Sequence, residues 1–308
     1  MYLLASLLAS LYASSLLAHS LVKKRVLVSA LVSGELVPKD LVRPWVVTVA
    51  NQKGGVGKTT TAVNMAVELY ELGLPTIVVD LDSQANATDA LGVKVTKDMP
   101  TLYEVLNPDF EQRVSLPKAL VRSPYGPYVL AGATAMAQIE RDGNGPGGEL
   151  SLARAISNAP GPAVYVIDSP PNLGRLTIMG LVAAGQESGG GEVLAPVAPG
   201  ANELKGLYKL MRTVAGLKAN GLAQHLELGT VLTTEYDGRN QLNKDSRRYL
   251  ERTFDREYLG EISATVRVGE SIARSKPLRH FAPECTASED YREVTRRYAL
   301  RKGLVVAA

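Results

Sequence analysis

The chain has 308 residues, of which 45% are hydrophobic and 21% are charged, and its formal net charge is +3. That composition is typical of a globular protein with one large core. The single cysteine, Cys285, excludes an intrachain disulfide framework and a cysteine-based metal site, and the few histidines are too far apart in sequence to favour a histidine-based one. Residues 1–44 alone carry a net charge of +3, so nucleic-acid binding by the neutral remainder needs a local basic patch.

Residues 1–22 contain no Lys, Arg, Asp or Glu and consist mostly of Leu, Ala and Ser. They are long enough to span a bilayer, and their leucines at 4, 8 and 11 fall on one face of a helix. The basic residues 23–25 follow this run instead of preceding it, which disfavours a signal peptide. Three interpretations stay open: a dispensable extension, an amphipathic or partner-binding helix, and a transmembrane segment.

A glycine-rich stretch at residues 51–60 organises the rest of the chain. Its sequence, Asn-Gln-Lys-Gly-Gly-Val-Gly-Lys-Thr-Thr, is a variant of the phosphate-binding pattern G-x-x-x-x-G-K-[ST], with Gln52 in place of the first glycine. The glycines let backbone N–H groups surround a phosphate, Lys58 supplies positive charge, and the Thr59 hydroxyl is suited to ligate Mg²⁺. The predicted nucleotide-binding residues are Lys53, Gly54, Gly55, Val56, Gly57, Lys58, Thr59 and Thr60.

Strand and helix patterns alternate from residue 45 onward. Strands are predicted at 45–49, 76–82, 127–132, 163–168, 192–197, 226–232 and 259–262, and helices over 58–72, 151–157, 202–217 and 243–254. Strands separated by helices form parallel βαβ units, so we predict an α/β fold with a doubly wound, mostly parallel sheet flanked by helices. Residues 45–308 are predicted to be one domain, with residues 1–44 as an N-terminal extension and linker.

Acidic residues end two of these strands, at the edge of the sheet where ligands bind in such folds. Asp168 follows four apolar residues, and a carboxylate there can hold the hydration shell of Mg²⁺. Asp80 and Asp82 are two residues apart in a strand, so they point to the same face. Without the glycine-rich loop, all three carboxylates would be ordinary turn or cap residues.

Four stretches of the chain are similar to one known family. Residues 53–60, K-G-G-V-G-K-T-T, resemble the deviant Walker A motif of the ParA/MinD ATPases, and residues 80–88 resemble the segment D-x-D-P-Q-G-N-A-T. Residues 168–174 resemble D-x-P-P-x-L-G, and residues 262–277 resemble I-P-R-N-V-R-L-S-E-A-P-S-x-G-K-P. Gln52 favours the ParA/Soj-type partition ATPases. Ser83, Ala85, Ser263 and Ala264 depart from these patterns.

The resemblance implies a P-loop ATPase that uses ATP and Mg²⁺ and hydrolyses ATP slowly. By the matched motifs, Lys53 acts in trans on the partner's nucleotide in a dimer, Lys58 acts in cis, and Asp82 orients or activates the attacking water. Thr59, Asp80 and Asp168 are then the metal site. The family implies an ATP-bound homodimer that binds double-stranded DNA non-specifically, a ParB-like centromere-binding protein that stimulates hydrolysis, and a cytoplasmic, nucleoid-associated location.

Basic residues near the C-terminus are the candidates for contacts with DNA phosphates. The first cluster is Arg267, Arg274, Lys276 and Arg279, and Arg267 lies within a matched motif. Arg296, Arg297, Arg301 and Lys302 form a second run, and Arg247 and Arg248 are secondary candidates. The alternative for each is a solvated surface charge.

Three other functions compete with partition. A membrane-positioning ATPase like MinD would use a C-terminal amphipathic helix, and the tail at 298–306 is short and weakly amphipathic, although the apolar N-terminus favours this alternative. An electron-transfer protein like the nitrogenase iron protein needs two cysteines per chain, and this chain has one. A scaffold with a degenerate nucleotide site conflicts with the intact Lys58, Thr59, Asp82 and Asp168.

Overall fold

The computed structural model describes residues 36–159, 163–186, 190–200 and 203–307, with side chains from residue 39 onward except at 203. The apolar run at 1–22 lies outside the described residues, so its three interpretations stay predictions. Within the described part of the chain, no helix has the length and apolar character needed to cross a membrane.

Ten strands and twelve α-helices are described. The strands are β1 Leu36–Pro38, β2 Trp45–Val49, β3 Thr76–Asp80, β4 Leu120–Arg122, β5 Tyr128–Leu130, β6 Val164–Asp168, β7 Gly190–Val197, β8 Leu228–Tyr236, β9 Tyr258–Ser263 and β10 Val305–Ala307. The helices are α1 Lys58–Glu71, α2 Asn86–Ala90, α3 Leu102–Val105, α4 Leu116–Ala119, α5 Met136–Asp142, α6 Ser151–Ser157, α7 Arg175–Ala184, α8 Glu203–Ala219, α9 Gln241–Thr253, α10 Val266–Ala273, α11 Leu278–Phe281 and α12 Thr286–Arg301.

Eight of the strands form one sheet in the order β4-β5-β3-β6-β2-β7-β8-β9. Every pair is parallel except β4 with β5, so the predicted doubly wound, mostly parallel sheet is confirmed. Strand β2 lies between β6 and β7; the strands that follow it up to β6 are all on one side of it, and the chain then crosses from β6 to build β7 on the other side. This switch in direction opens a crevice at the carboxyl end of β2, where the glycine-rich loop begins.

Alternate side chains of the central strands pack on opposite faces of the sheet, as period-two geometry requires. Ile77 and Val79 of β3 point into one buried cluster, and Val78 points into the other. Helices α6, α7 and α8 cover the first face, and α1 and α12 cover the second. Because both faces are covered, the strands read as continuous apolar runs.

Several elements differ from the sequence prediction. Edge strand β4 is antiparallel to β5 and only three residues long. Strand β1 lies within the stretch predicted to be a linker, and it pairs with β10 near the other end of the described chain. Strand β8 ends at Tyr236, four residues beyond its predicted end at 232. That extension carries Thr234 to the glycine-rich loop, where its Oγ1 donates to the carbonyl of Val56 over 3.0 Å.

The second basic run binds helix α12 to the sheet. Arg301 donates to the backbone carbonyls of residues 256, 257 and 258, and Arg297 donates to the carbonyl of Leu259 over 2.9 Å. Lys302 is ion-paired with Glu192, whose side chain is 4% exposed, and donates to the carbonyl of Gly229 over 3.1 Å. These guanidinium and ammonium groups therefore help to hold α12 against the sheet, and their role as DNA contacts stays a prediction.

Replacing Lys302 with Ala should lower the free energy of unfolding by roughly 3 kcal/mol, because it leaves a buried carboxylate without its partner charge. Urea unfolding measures this change. The double variant Lys302→Ala/Glu192→Gln should recover part of the loss, since an amide needs no counter-charge. A cost below about 1 kcal/mol for Lys302→Ala, in the range of an exposed pair, would contradict a structural role for this ion pair.

Candidate nucleotide-binding site

The glycine-rich loop connects β2 to the first residue of α1. Gly55 and Gly57 have φ angles of 75° and 76°, in the left-handed region that glycine adopts without strain. Helix α1 begins at Lys58 and has no side-chain cap at its N-terminus. Its first backbone N–H groups therefore face the loop together with the positive end of the helix dipole, which is an arrangement suited to phosphate.

Lys58 is 7% exposed and faces acidic groups. Its Nζ donates to the backbone carbonyl of Lys53 over 2.9 Å. Burial lowers the pKa of Lys58, and the charges of Asp168 and Asp82 oppose that shift. A cation fixed inside the loop, at the first residue of α1, can neutralise the charge of a phosphate group that the loop surrounds.

Asp168 ends β6 and is completely buried. Neither of its carboxylate oxygens has a hydrogen-bond partner among the described residues. Burial raises the pKa of Asp168 well above its usual value, the neighbouring charge of Asp80 adds to the rise, and the nearby Thr59 hydroxyl and Lys58 ammonium oppose it. Two unsatisfied oxygens beside a hydroxyl fit a hydrated divalent cation, so the predicted pairing of Thr59 and Asp168 suits Mg²⁺.

Asp80 lies beside Asp168 on the neighbouring strand, in register with it. One of its oxygens accepts from the backbone N–H and the hydroxyl of Thr88, over 2.8 Å and 2.7 Å, and the other accepts from the backbone N–H of Asp82 over 3.2 Å. Burial raises the pKa of Asp80 to about 6. Because protein donors already engage both oxygens, Asp80 suits a supporting position better than direct metal ligation.

Asp82 lies just beyond β3, and its carboxylate lines the same cleft as Lys58 and Thr59. One of its oxygens accepts from the backbone N–H of Gln84 over 3.0 Å, and its side chain is half-buried. The predicted catalytic and metal residues of one chain are thus brought to one edge of the sheet. Their individual roles stay predictions.

Lys53 is exposed, and the side chain of Asn51 fixes its backbone by a hydrogen bond. The Asn51 Oδ1 accepts from the backbone N–H of Lys53 over 3.1 Å, and its Nδ2 donates to the carbonyl of Pro196 over 2.8 Å. Gly206 leaves room for this amide, because a Cβ there would lie 2.6 Å from the Asn51 Oδ1. The sequence offered no role for Asn51, since its partner Pro196 is 145 residues away.

The cleft beside the loop has a volume of about 900 Å³, which is large enough for a nucleotide. Its lining includes residues of the glycine-rich loop and an apolar wall of Ile262, Val266, Val268 and Ile272. Val266 is 77% exposed and Ile272 is 54% exposed. An apolar wall next to a phosphate loop suits a planar base. Sequence patterns did not indicate this wall, because its residues belong to β9 and α10, which lie far from the loop in sequence and meet it only in the fold.

The four predicted DNA-binding residues lie in three different environments. Arg267 is exposed on α10 and pairs with Glu270 at 2.8 Å. Arg274 lies over the ring of Phe281, with 5.0 Å between its guanidinium carbon and the ring centroid, and Lys276 is exposed. Arg279 instead binds two glutamates of α1, at 2.9 Å each. The structure therefore presents three of these residues to solvent and engages the fourth in ion pairs.

Known proteins resemble this chain over most of its length. The family described as an AAA domain matches residues 45–228. The chromosome partitioning protein ParA of Caulobacter vibrioides is 32% identical over 262 residues, which are 83% of this chain and 94% of that protein. The sporulation initiation inhibitor protein Soj of Bacillus subtilis is 31% identical over 256 residues, which are 82% of this chain and 98% of that protein.

A solved structure agrees with the sequence comparisons. The cobyrinic acid a,c-diamide synthase of Mycobacterium smegmatis, with bound ADP and magnesium, has a TM-score of 0.69 and is 29% identical. The similarity covers 84% of this chain and 96% of that one. The glycine-rich loop, strands β2 to β7 and the acidic residues at the carboxyl edge of the sheet lie within residues 45–228, and the chain belongs to the ParA/Soj family of P-loop ATPases.

Proposed function

We propose that this protein is a DNA-partition ATPase that binds ATP and Mg²⁺ in the cleft between the glycine-rich loop and α10. The observation that carries the proposal is the buried group of Lys58, Asp80 and Asp168, in which the Lys58 cation interacts with Asp168 and the Asp168 oxygens lack hydrogen bonds within the described chain. A purely structural turn would not need this group of buried charges. The group fits a nucleoside triphosphate with its metal ion. The named partition proteins among its relatives support the biological role.

In the proposed reaction, backbone N–H groups of the loop and Lys58 hold the phosphates, and Thr59 and Asp168 hold Mg²⁺. The metal supplies charge neutralisation on the phosphate oxygens. Asp82 orients the attacking water. Asp80, which Thr88 fixes, holds the segment after β3 that carries Asp82 in place through its hydrogen bond from the Asp82 backbone N–H. Lys53 lies at the exposed rim of the loop, where it can reach the nucleotide of a second subunit in an ATP-bound homodimer.

The dimer binds double-stranded DNA without sequence preference through basic residues in α10 and just after it, with Arg267 as the first candidate. A ParB-like partner then stimulates hydrolysis and releases the protein from DNA, so slow intrinsic turnover preserves a long-lived bound state. A MinD-like membrane role is the second candidate. It depends on the apolar run at 1–22, and it is disfavoured at the other end of the chain because residues 305–307 form strand β10.

Co-sedimentation with arbitrary duplex DNA and, separately, with anionic liposomes tests the proposal. We expect DNA binding with a non-hydrolysable ATP analogue and much weaker binding with ADP, and the binding should weaken steeply as salt rises. Arg267→Ala should weaken binding to all DNA sequences alike and reduce the salt slope by about one. Selective binding to liposomes would overturn the partition role in favour of the membrane role.

Lys58→Ala should weaken binding of a fluorescent ATP analogue by roughly 10-fold to 100-fold, because a charge-assisted contact to phosphate is lost. The matched control is Lys94→Ala, which removes an exposed lysine outside the cleft. Equilibrium titration measures both variants. Affinity within twofold of the unmodified protein for Lys58→Ala would contradict the assignment of the phosphate site.

Asp82→Ala should reduce the rate of ATP hydrolysis at least about tenfold and leave ATP-dependent DNA binding in place, because the phosphate contacts do not involve this carboxylate. Asp89→Ala, an exposed carboxylate on α2, serves as its control. Phosphate release and DNA co-sedimentation are measured on the same preparation. Turnover equal to that of the unmodified protein would show that Asp82 has no part in positioning water.

A further inference from the structure

Helix α1 is joined to helix α11 by a buried ion pair. The Arg279 Nη1 lies 3.2 Å and 2.9 Å from the two carboxylate oxygens of Glu68, and its Nη2 lies 2.9 Å from Glu71. The side chain of Glu68 is only 6% exposed. Burial raises the pKa of Glu68, and the Arg279 guanidinium opposes that shift. Arg279 cannot leave this position for a DNA phosphate without leaving a carboxylate buried and unpaired.

A second contact, one helical turn closer to the glycine-rich loop, joins the same two helices. The backbone N–H of Leu278 donates to the Asn64 Oδ1 over 2.8 Å. The Nδ2 of the same amide donates to the carbonyl of Thr60 over 2.8 Å, and Thr60 is the last residue of the loop motif. Residues 64 and 68 are one turn apart and share one face of α1. Leu278 and Arg279 of α11 are therefore both fixed to α1, the helix that follows the phosphate loop.

The connection from α11 back to α10 is short and ordered. The backbone N–H of Ser275 donates to the carbonyl of Ile272 over 3.0 Å, and that of Lys276 donates to the carbonyl of Ser271 over 3.1 Å. Ser275 has a φ of 51°, in the left-handed region. The Tyr125 hydroxyl also donates to the carbonyl of Ser275 over 3.3 Å. A displacement of α11 must therefore displace α10, which carries Arg267.

We propose that the Glu68–Arg279 ion pair and the Asn64–Leu278 hydrogen bond form a strut that transmits the nucleotide state of the phosphate loop to helix α10. Arg279 is then a positioning residue, and Arg267 and Lys276 remain the candidate DNA contacts. The inference deepens the proposed function and rests on it for the identity of the ligand that α10 contacts. The strut itself is defined by contacts within this chain and has a readout that does not involve DNA.

The test uses Glu68→Gln in the full chain, because glutamine keeps the size of the side chain and removes its charge. ATP-analogue affinity should stay within about twofold, whereas the ratio of DNA affinities with ATP analogue and with ADP should fall at least about fivefold, the lower end of typical coupling between sites. If Arg279 contacted DNA directly, the same variant would release its guanidinium and strengthen DNA binding in every nucleotide state. That result, or an unchanged ratio, overturns the strut.

Hydrogen exchange of residues 265–281 separates failure of the strut from failure of the proposed function. In the unmodified protein, ATP analogue should slow exchange of this segment relative to ADP, and Glu68→Gln should abolish the difference. If the unmodified protein gains no DNA affinity with ATP analogue, the proposed function fails, and this exchange experiment still decides the strut. The strut proposal is overturned if the exchange of residues 265–281 does not differ between ATP analogue and ADP in the unmodified protein, or if the difference persists in Glu68→Gln.

Two further variants distinguish a specific loss of coupling from a general loss of stability. Arg279→Lys keeps a positive charge beside Glu68 but cannot bridge both glutamates, so it should retain part of the coupling even if Glu68→Gln lowers the melting temperature too far. Arg141→Gln breaks an exposed pair with Asp142 outside the strut and should leave both the exchange and the affinity ratio unchanged. Full coupling in a folded Arg279→Lys protein together with full coupling in Glu68→Gln overturns the proposal.

Discussion

Two completely buried carboxylates, Asp80 and Asp168, lie side by side on adjacent strands, and their mutual repulsion is the constraint that the surrounding structure satisfies. Burial disfavours the charged form of each and raises both pKa values, and the charge of Asp80 raises the pKa of Asp168 further. Three hydrogen bonds from Thr88 and Asp82 stabilise Asp80. Asp168 has the Lys58 charge nearby and no hydrogen bond within the described chain, so its natural complement is a cation.

The strand order brings these groups together. Because β6 lies between β2 and β3, Asp168 is adjacent to Asp80 on one side and to the end of β2 on the other. Strand β7 lies on the far side of β2 and positions Pro196, whose carbonyl holds Asn51 and, through it, the backbone of Lys53. These hydrogen bonds support the loop from β7 and offset part of the entropy that a glycine-rich segment loses on ordering.

Sequence reasoning predicted the parts of the site that depend on local patterns. The loop, its following helix and the strand-end carboxylates each have a signature within ten residues, and the parallel sheet follows from the alternation of elements. Contacts between distant residues have no such signature. The apolar wall of the cleft, the Thr234 hydroxyl at the loop and the three-residue edge strand β4 all depend on neighbours that the chain reaches only after folding.

The basic residues near the C-terminus show why charge alone is a poor guide to an interface. Arg279 and Arg267 are twelve residues apart in one basic cluster, yet Arg279 pairs with Glu68, 211 residues away in sequence, while Arg267 pairs with Glu270 of its own helix. A basic side chain is available to a polyanion only if its intramolecular partner can be released at low cost, and an exposed pair meets that condition whereas a buried one does not. The burial of the acidic partner therefore distinguishes a contact residue from a structural one. By this criterion Lys302 belongs with Arg279, since it neutralises a glutamate that is buried.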